Sequence, residues 1–293
     1  MDLHGVTALE PAGPVLDGAA ALQPGDVWLA GGTWLFSEPQ PGVRRLLDLT
    51  CLGWEPVVVD DDGDLRVSAT CTIEQLTSWA SATEDTPSLI AQCADAFLAG
   101  WKVQGVATVG GNLVTALPAA PMVSLLASLD GVVELWTLGA GAGPAAGLRR
   151  RYLPVAELVT GDHVTALAPG ELVREVVVPA SSLAARTAFR RATLTPLGRS
   201  ASLVVGRLDG SGELVVTVTA ATQAPLQLRW PSSSLGSADA AADAVEAAVD
   251  GAVDFSEPRR TWHDDVHGHP AWRRAMALAQ VREVVQELLE ETP

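Results

Sequence analysis

The chain is poor in the residues that build several common kinds of site. It has three cysteines, Cys51, Cys71 and Cys93, an odd count with no C-x-x-C pair. This argues against a disulfide framework, a zinc site or an iron–sulfur cluster held by this chain. Cys93 falls in an apolar helical stretch and reads as a small core residue. Cationic residues are scarce, 19 Lys and Arg against 35 Asp and Glu, for a formal net charge of -16. So acidic a surface repels phosphate backbones, so no nucleic-acid partner is expected. A phosphorylated cofactor stays possible, because backbone N–H groups hold phosphate without a side-chain cation. Apolar runs such as Met122–Leu126 are far short of a bilayer span. Met1-Asp2-Leu3-His4 lacks the basic and apolar regions of a signal peptide. The expectation is therefore a cytoplasmic chain with no membrane partner. No Ser/His/Asp or Cys/His pattern stands out and G-x-S-x-G is absent, so no catalytic residue is assigned.

What is present is apolar. Hydrophobic residues make up 48% of 293 and charged residues 18%, enough for a large core and too long for one small one. A Pro/Gly/Ala-rich stretch, Pro11–Gly25, holds a short helix near Leu16–Leu22 and leads to a short buried strand, Val27–Ala30. Arg45–Leu49 is a second strand. Val57–Val59 and Leu65–Val67 flank Asp60-Asp61-Asp62-Gly63, a hairpin signal. Thr72-Ile73-Glu74-Gln75 has the form of a capping box for a helix through Trp79. Helices over Pro87–Ala99 and Pro121–Leu129 and a strand over Val132–Trp136 follow. Leu172–Val178 is a strand ended by Pro179, where we expect a boundary between domains 1–179 and 180–293. Beyond it, Ala188–Ala192, Ser202–Arg207, Leu214–Ala220 and Pro225–Trp230 read as strands, and Ala238–Val249 and Trp272–Leu289 as helices. Strands and then helices, without strict alternation, predict an α+β fold.

Two diglycine segments carry the functional signal. The first, Leu29-Ala30-Gly31-Gly32-Thr33-Trp34-Leu35, directly follows a strand; the second is Thr108-Val109-Gly110-Gly111-Asn112-Leu113. Consecutive glycines let a ligand approach the backbone and let N–H groups point one way, a donor row suited to a diphosphate. Thr33, Thr108 and Asn112 add side-chain donors. Either segment alone reads as a tight turn in a chain with 27 glycines. Two such turns in this order can grip one diphosphate from two sides.

In these segments the chain resembles the FAD-binding medium subunit of the molybdenum hydroxylases, the xanthine dehydrogenase and carbon monoxide dehydrogenase group. Ala30–Leu35 matches that family's A-G-G-T/H-x-L, and Thr108–Leu113 its T-I-G-G-N-L. The likeness continues through Pro118, Leu167-x-Pro169-Gly170-Glu171-Leu172, Phe189-Arg190-Arg191 and the segment His267–Arg274. It implies a two-part FAD-binding domain of the PCMH type followed by a smaller α+β domain. FAD would lie between the two parts, its diphosphate on the diglycine turns and Leu172 near the flavin. It also implies an electron-transfer oxidoreductase subunit of a hetero-oligomer. A molybdopterin-binding large subunit and a 2Fe-2S small subunit would hold the other centres, and NAD, a quinone or O2 would accept the electrons. Two positions depart from the family: Gln104 stands where it has an arginine, and Pro121 where it has an aspartate. They keep open a subunit of this fold that has lost FAD; a stand-alone flavin oxidoreductase is the third reading.

Other constellations are weaker. Gly141-x-Gly143-x-x-Ala146 lies in a Gly/Ala/Pro stretch, Gly139–Gly147, that reads as a surface loop and lacks the helix of a dinucleotide fingerprint. Arg149-Arg150-Arg151 reads as a solvated charge run at a loop end. His263, His267 and His269 gather before the last helix without a rigid scaffold, and no metal site is assigned. The single tyrosine, Tyr152, is the only candidate for a tyrosine over a flavin face. Of nine tryptophans, Trp34 sits in the first cofactor segment.

Overall fold

The computed structural model describes residues 3, 5–84, 86–138, 148–251 and 261–290. The Gly139–Gly147 stretch therefore lies outside the described residues. Strands β1 (Ala8–Pro11), β2 (Asp26–Leu29) and β3 (Arg45–Asp48) form a parallel sheet in the order β1-β3-β2. Arg45 ties its strands together, bonding Asp26 at 2.5 Å and Glu10 at 2.8 Å. Helix α1 occupies Gly13–Leu16 rather than Leu16–Leu22. Pro14 suits a first turn, and Gly18 with φ +74° takes the chain out of helix.

A second sheet is antiparallel, ordered β4-β5-β10-β6-β7: β4 (Val57–Val59), β5 (Leu65–Ser68), β6 (Val132–Leu138), β7 (Leu148–Pro154) and β10 (Leu172–Val178). The Asp60 carboxylate closes the β4–β5 hairpin by accepting the N–H groups of Asp62 and Asp64. The arginine run is not a loop end. It lies in edge strand β7, where Arg151 pairs with Glu171 at 2.6 Å and Arg150 comes to 3.5 Å from Glu134. Alternation along β7 was masked in sequence by three successive charges. Helix α7 (Val155–Leu158) and the small hairpin β8 (Val159–Gly161) and β9 (Val164–Thr165) lead into β10.

Helices α2 (Ile73–Ala82), α3 (Leu89–Ala96), α5 (Val109–Thr115) and α6 (Pro121–Ser128) cover one face of this sheet, packing on Leu65, Val67, Val133, Leu135 and Val176. Thr72 and Gln75 make the expected reciprocal capping box. Helix α3 ends earlier than predicted, because Leu98 turns left-handed (φ 54°), and Gly100 instead caps the short α4 (Trp101–Gln104). The other face meets the parallel sheet through Trp28, Trp54, Trp136 and Leu172. Trp54 and Trp136 meet edge to face at 5.6 Å, with the Arg174 guanidinium 4.3 Å over Trp54.

After α8 (Ala180–Leu183), strands β11 (Arg186–Ala192), β12 (Ser202–Leu208), β13 (Glu213–Thr219) and β14 (Leu226–Pro231) form an antiparallel meander. Helices α9 (Ala238–Asp250) and α10 (Pro270–Glu290) cover its outer face. The packing is close: a Cβ on Gly206 would lie 2.8 Å from Leu288 and 3.2 Å from Val284. The inner face rests on α6, every residue of which is buried, as expected of a helix enclosed between two sheets. The architecture is α+β. Among the described residues no helix is long and apolar enough to cross a membrane.

Charge also holds α6 to the meander. Arg207, only 1% exposed, donates to the Ser128 carbonyl at 2.7 Å and pairs with Asp130 at 2.5 Å and Asp209 at 2.8 Å. Burial pushes the Asp130 carboxyl up, but bonds from Arg229 and Arg207 outweigh this and hold it below its ordinary range. Removing one partner of such a group strands buried charge. Arg207→Ala is expected to cost about 3 kcal/mol in urea unfolding, and a loss under about 1 kcal/mol would contradict the clamp.

Candidate functional site

Strand β2 ends at Leu29 and the chain runs into Ala30–Leu35. Gly31 is required by contact with the chain itself: a Cβ there would lie 1.9 Å from the Val106 carbonyl oxygen. Gly32 has φ +68°, and its Cβ would meet the Phe36 ring at 2.6 Å. The turn closes when Phe36 N–H donates to Gly32 O at 2.9 Å and Ser37 N–H to Trp34 O at 2.9 Å. Among the described residues, no protein atom accepts from the N–H groups of Ala30, Gly31, Gly32, Thr33, Trp34 or Leu35. The segment is a run of backbone donors beside a cleft, and such donors require partners when shielded from water.

The second diglycine segment is not a turn. Thr108 caps α5 and Val109-Gly110-Gly111-Asn112 is the first turn of that helix. Its backbone donors are spent within the protein. Val109 N–H donates to Cys71 O at 2.8 Å, Gly110 to Ala69 O at 3.0 Å and Asn112 to Thr108 O at 2.9 Å. Gly111 N–H donates to the Thr108 hydroxyl at 3.1 Å. Gly110 is small because a Cβ would lie 2.6 Å from Ala69. What remains for a ligand is side-chain chemistry: the Thr108 hydroxyl proton and the Asn112 amide nitrogen. The Asn112 amide oxygen already accepts Met122 N–H at 3.0 Å, at the start of α6. Val109 itself is fully buried in the core and presents nothing.

Both segments open on one cleft of about 680 Å³, within the usual range for cofactor pockets of roughly 300–1,000 Å³. Leu29, Ala30, Gly31, Gly32, Thr33, Trp34 and Leu35 line it, as do Thr108, Gly110, Gly111, Asn112 and Leu172. Of the sequence-predicted residues only Val109 does not. Gln104 is not on its wall; its amide donates to Ala99 O at 2.9 Å and braces the turn before α5. Pro121 sits at the start of α6, also off the wall, and Tyr152 is 59% exposed on β7.

Several wall residues were not legible beforehand. Phe97, Leu98 and Ala99 enter through the left-handed break after α3. His163, at φ 57° between β8 and β9, lies with its ring 5.2 Å from that of Trp34. Leu197 and Arg199 arrive from the β11–β12 loop, with the Arg199 guanidinium 6.0 Å from the Trp34 ring centre. None of these carries a local motif, and only the fold brings them together. Before the last helix, where His263, His267 and His269 gather, no His, Cys, Asp and Glu groups among the described residues come together as a metal cluster. The buried Arg273 instead bonds Asp265 and the carbonyls of Gly268, Ala201 and Ala220.

Among the described residues one carboxylate reaches the wall. The Glu171 carboxylate accepts from Arg151, and that bond is the main reason its pKa is held down to about 2. Burial opposes the shift, while Ala168 N–H and the Thr137 hydroxyl assist it. Its charge is thus matched by Arg151 and not left facing the cleft. Because the folded value lies below the ordinary 4.5, Glu171 contributes stability above that pH, lost as pH falls toward about 2. Glu171→Gln is expected to lower neutral-pH stability by roughly 1–3 kcal/mol and to flatten the acid limb of a urea-midpoint profile. An unaltered acid limb would show that Glu171 is not the titrating group.

Residues 15–181 match the family model described as the FAD binding domain in molybdopterin dehydrogenase. A curated relative is the 6-hydroxypseudooxynicotine dehydrogenase complex subunit alpha of Paenarthrobacter nicotinovorans, 27% identical over 194 residues. The alignment covers 63% of this chain, and the chain spans 60% of the relative's length. Among solved structures, quinoline 2-oxidoreductase from Pseudomonas putida 86 superposes with a TM-score of 0.72 at 19% identity, over 99% of both chains. CO dehydrogenase from Oligotropha carboxidovorans gives 0.71 at 19% identity, over 97% of this chain and 98% of that one. At such identities the two structures speak for the fold. The match over more than half the length decides the family: this chain belongs to the molybdopterin dehydrogenase FAD-binding family.

Proposed function

We propose that the chain holds FAD in this cleft and serves as the electron-transfer subunit of a molybdenum-containing hydroxylase or dehydrogenase. The run of unpartnered N–H groups from Ala30 to Leu35 carries the reading. They fit a diphosphate because they supply several donors at once without a side-chain cation. The Thr108 hydroxyl and the Asn112 amide face the same cleft and would take the opposite side of that diphosphate. The apolar wall at Leu172 and Leu167 suits an aromatic ring system and excludes water from it. FAD would supply the redox chemistry there, and the protein orientation and electrostatics. No side chain of this chain is needed as the substrate's acid or base.

In this reading residues 1–179 form the FAD-binding unit and 180–293 a C-terminal unit that buttresses it through α6. A molybdopterin-binding large subunit and a 2Fe-2S small subunit would be the partners, with substrate hydroxylation on the former. Electrons would reach FAD from the clusters and leave to an external acceptor. The curated relative's name as a subunit of a dehydrogenase complex supports a hetero-oligomer. The reading in which this fold has lost FAD rested on Gln104 and Pro121, and neither lines the cleft.

The test is direct. The purified chain is expected to absorb in the blue and to release about one FAD per chain on denaturation. A colourless chain that stays colourless when FAD is added overturns the reading.

A further inference from the structure

Among the described residues the cleft wall contains one arginine, Arg199, and it comes from the C-terminal meander. Among the described residues no carboxylate lies within ion-pair distance of it. It is so in a chain whose acids outnumber its bases 35 to 19. Two other arginines of the chain are neutralised, Arg151 by Glu171, and Arg190 by Glu283 and Glu287, each at 2.6–2.7 Å. The loop that presents Arg199 is also built and not slack. Arg191 donates to the Ser200 hydroxyl at 2.8 Å and to the Gly198 carbonyl at 2.6 Å, fixing the residues on both sides of Arg199. Gly198 N–H closes the turn on Thr195 O at 2.8 Å. The guanidinium is thereby set 6.0 Å from the ring of Trp34, a member of the donor segment itself.

We propose that Arg199 is an anion-binding residue that pairs with the diphosphate of a dinucleotide seated on the Ala30–Leu35 N–H groups. The inference rests on the FAD reading and deepens it. Backbone donors supply direction but no net charge, and the chain around them carries a net charge of -16. A diphosphate entering that field gains most from a cation kept free of local carboxylates. Guanidinium offers a planar fork that matches phosphate oxygens, and the Trp34 face holds it without discharging it. The C-terminal meander then contributes to cofactor binding through this loop, in addition to supporting α6.

The full chain, stripped of flavin, is titrated with FAD and with riboflavin, which lacks phosphate, following flavin fluorescence. Arg199→Ala is expected to weaken FAD about tenfold, the scale of one charge-assisted contact at a partly exposed site, and to leave riboflavin unchanged. Arg199→Lys keeps the charge and recovers part of the loss. The dependence of FAD affinity on salt should be shallower in Arg199→Ala. Unchanged FAD affinity in Arg199→Ala overturns the proposal while leaving the FAD reading intact. Equal losses for FAD and riboflavin also overturn it, since Arg199 would then act on the ring system by way of Trp34. A parent chain that binds no FAD overturns both.

Discussion

The site depends on one contact between backbones. The α-carbon of Gly31 lies so near the Val106 carbonyl that a methyl group would come within 1.9 Å of the oxygen. Backbone cannot give way there as a flexible side chain could, so the first glycine of the pair is fixed by packing. The contact joins the end of the parallel sheet to the segment just before α5. It brings a run of free donors beside a helix whose own donors are satisfied. The two diglycine segments are alike in sequence and different in physics: one leaves its amides without a protein acceptor among the described residues, the other uses glycine to let a helix start against Ala69.

The second dependence runs through α6. This helix is buried on all sides, its N-terminus tied to Asn112 in the cleft and its C-terminal carbonyl at Ser128 to Arg207 in the meander. The Ser124 and Thr219 hydroxyls bond at 2.7 Å between them. Burial of this helix between the two sheets stabilises both together and ties the cleft to the meander. The same meander sends the Thr193–Ser200 loop to the mouth of the cleft, so both its inner face and one of its turns serve the site.

Much of this was legible in the sequence for identifiable reasons. The β4–β5 hairpin followed from its Asp-Gly turn, the α2 start from the Thr72–Gln75 box, and the C-terminal strands from β-branched runs between turn residues. The two glycine segments located the cleft, since residues that must be small over several consecutive positions leave a mark in sequence. Strand β7 was hidden because its charges point to partners, Glu134 and Glu171, that are remote in the chain. The helix at Val109 was hidden because a pair of glycines argues against helix, and only the Thr108 cap and the close approach to Ala69 make it worthwhile. His163 and Arg199 could not be read at all: each lies in a turn of an unrelated element and reaches Trp34 only through the fold.

Amide hydrogen exchange, with and without saturating FAD, tests the asymmetry between the two segments most directly. The account predicts that Ala30–Leu35 exchanges fast in the free chain and becomes protected when FAD binds. Val109–Asn112 should be protected in both states, because its donors are already paired. Protection that appears only at Val109–Asn112, or a donor segment indifferent to bound FAD, would contradict it.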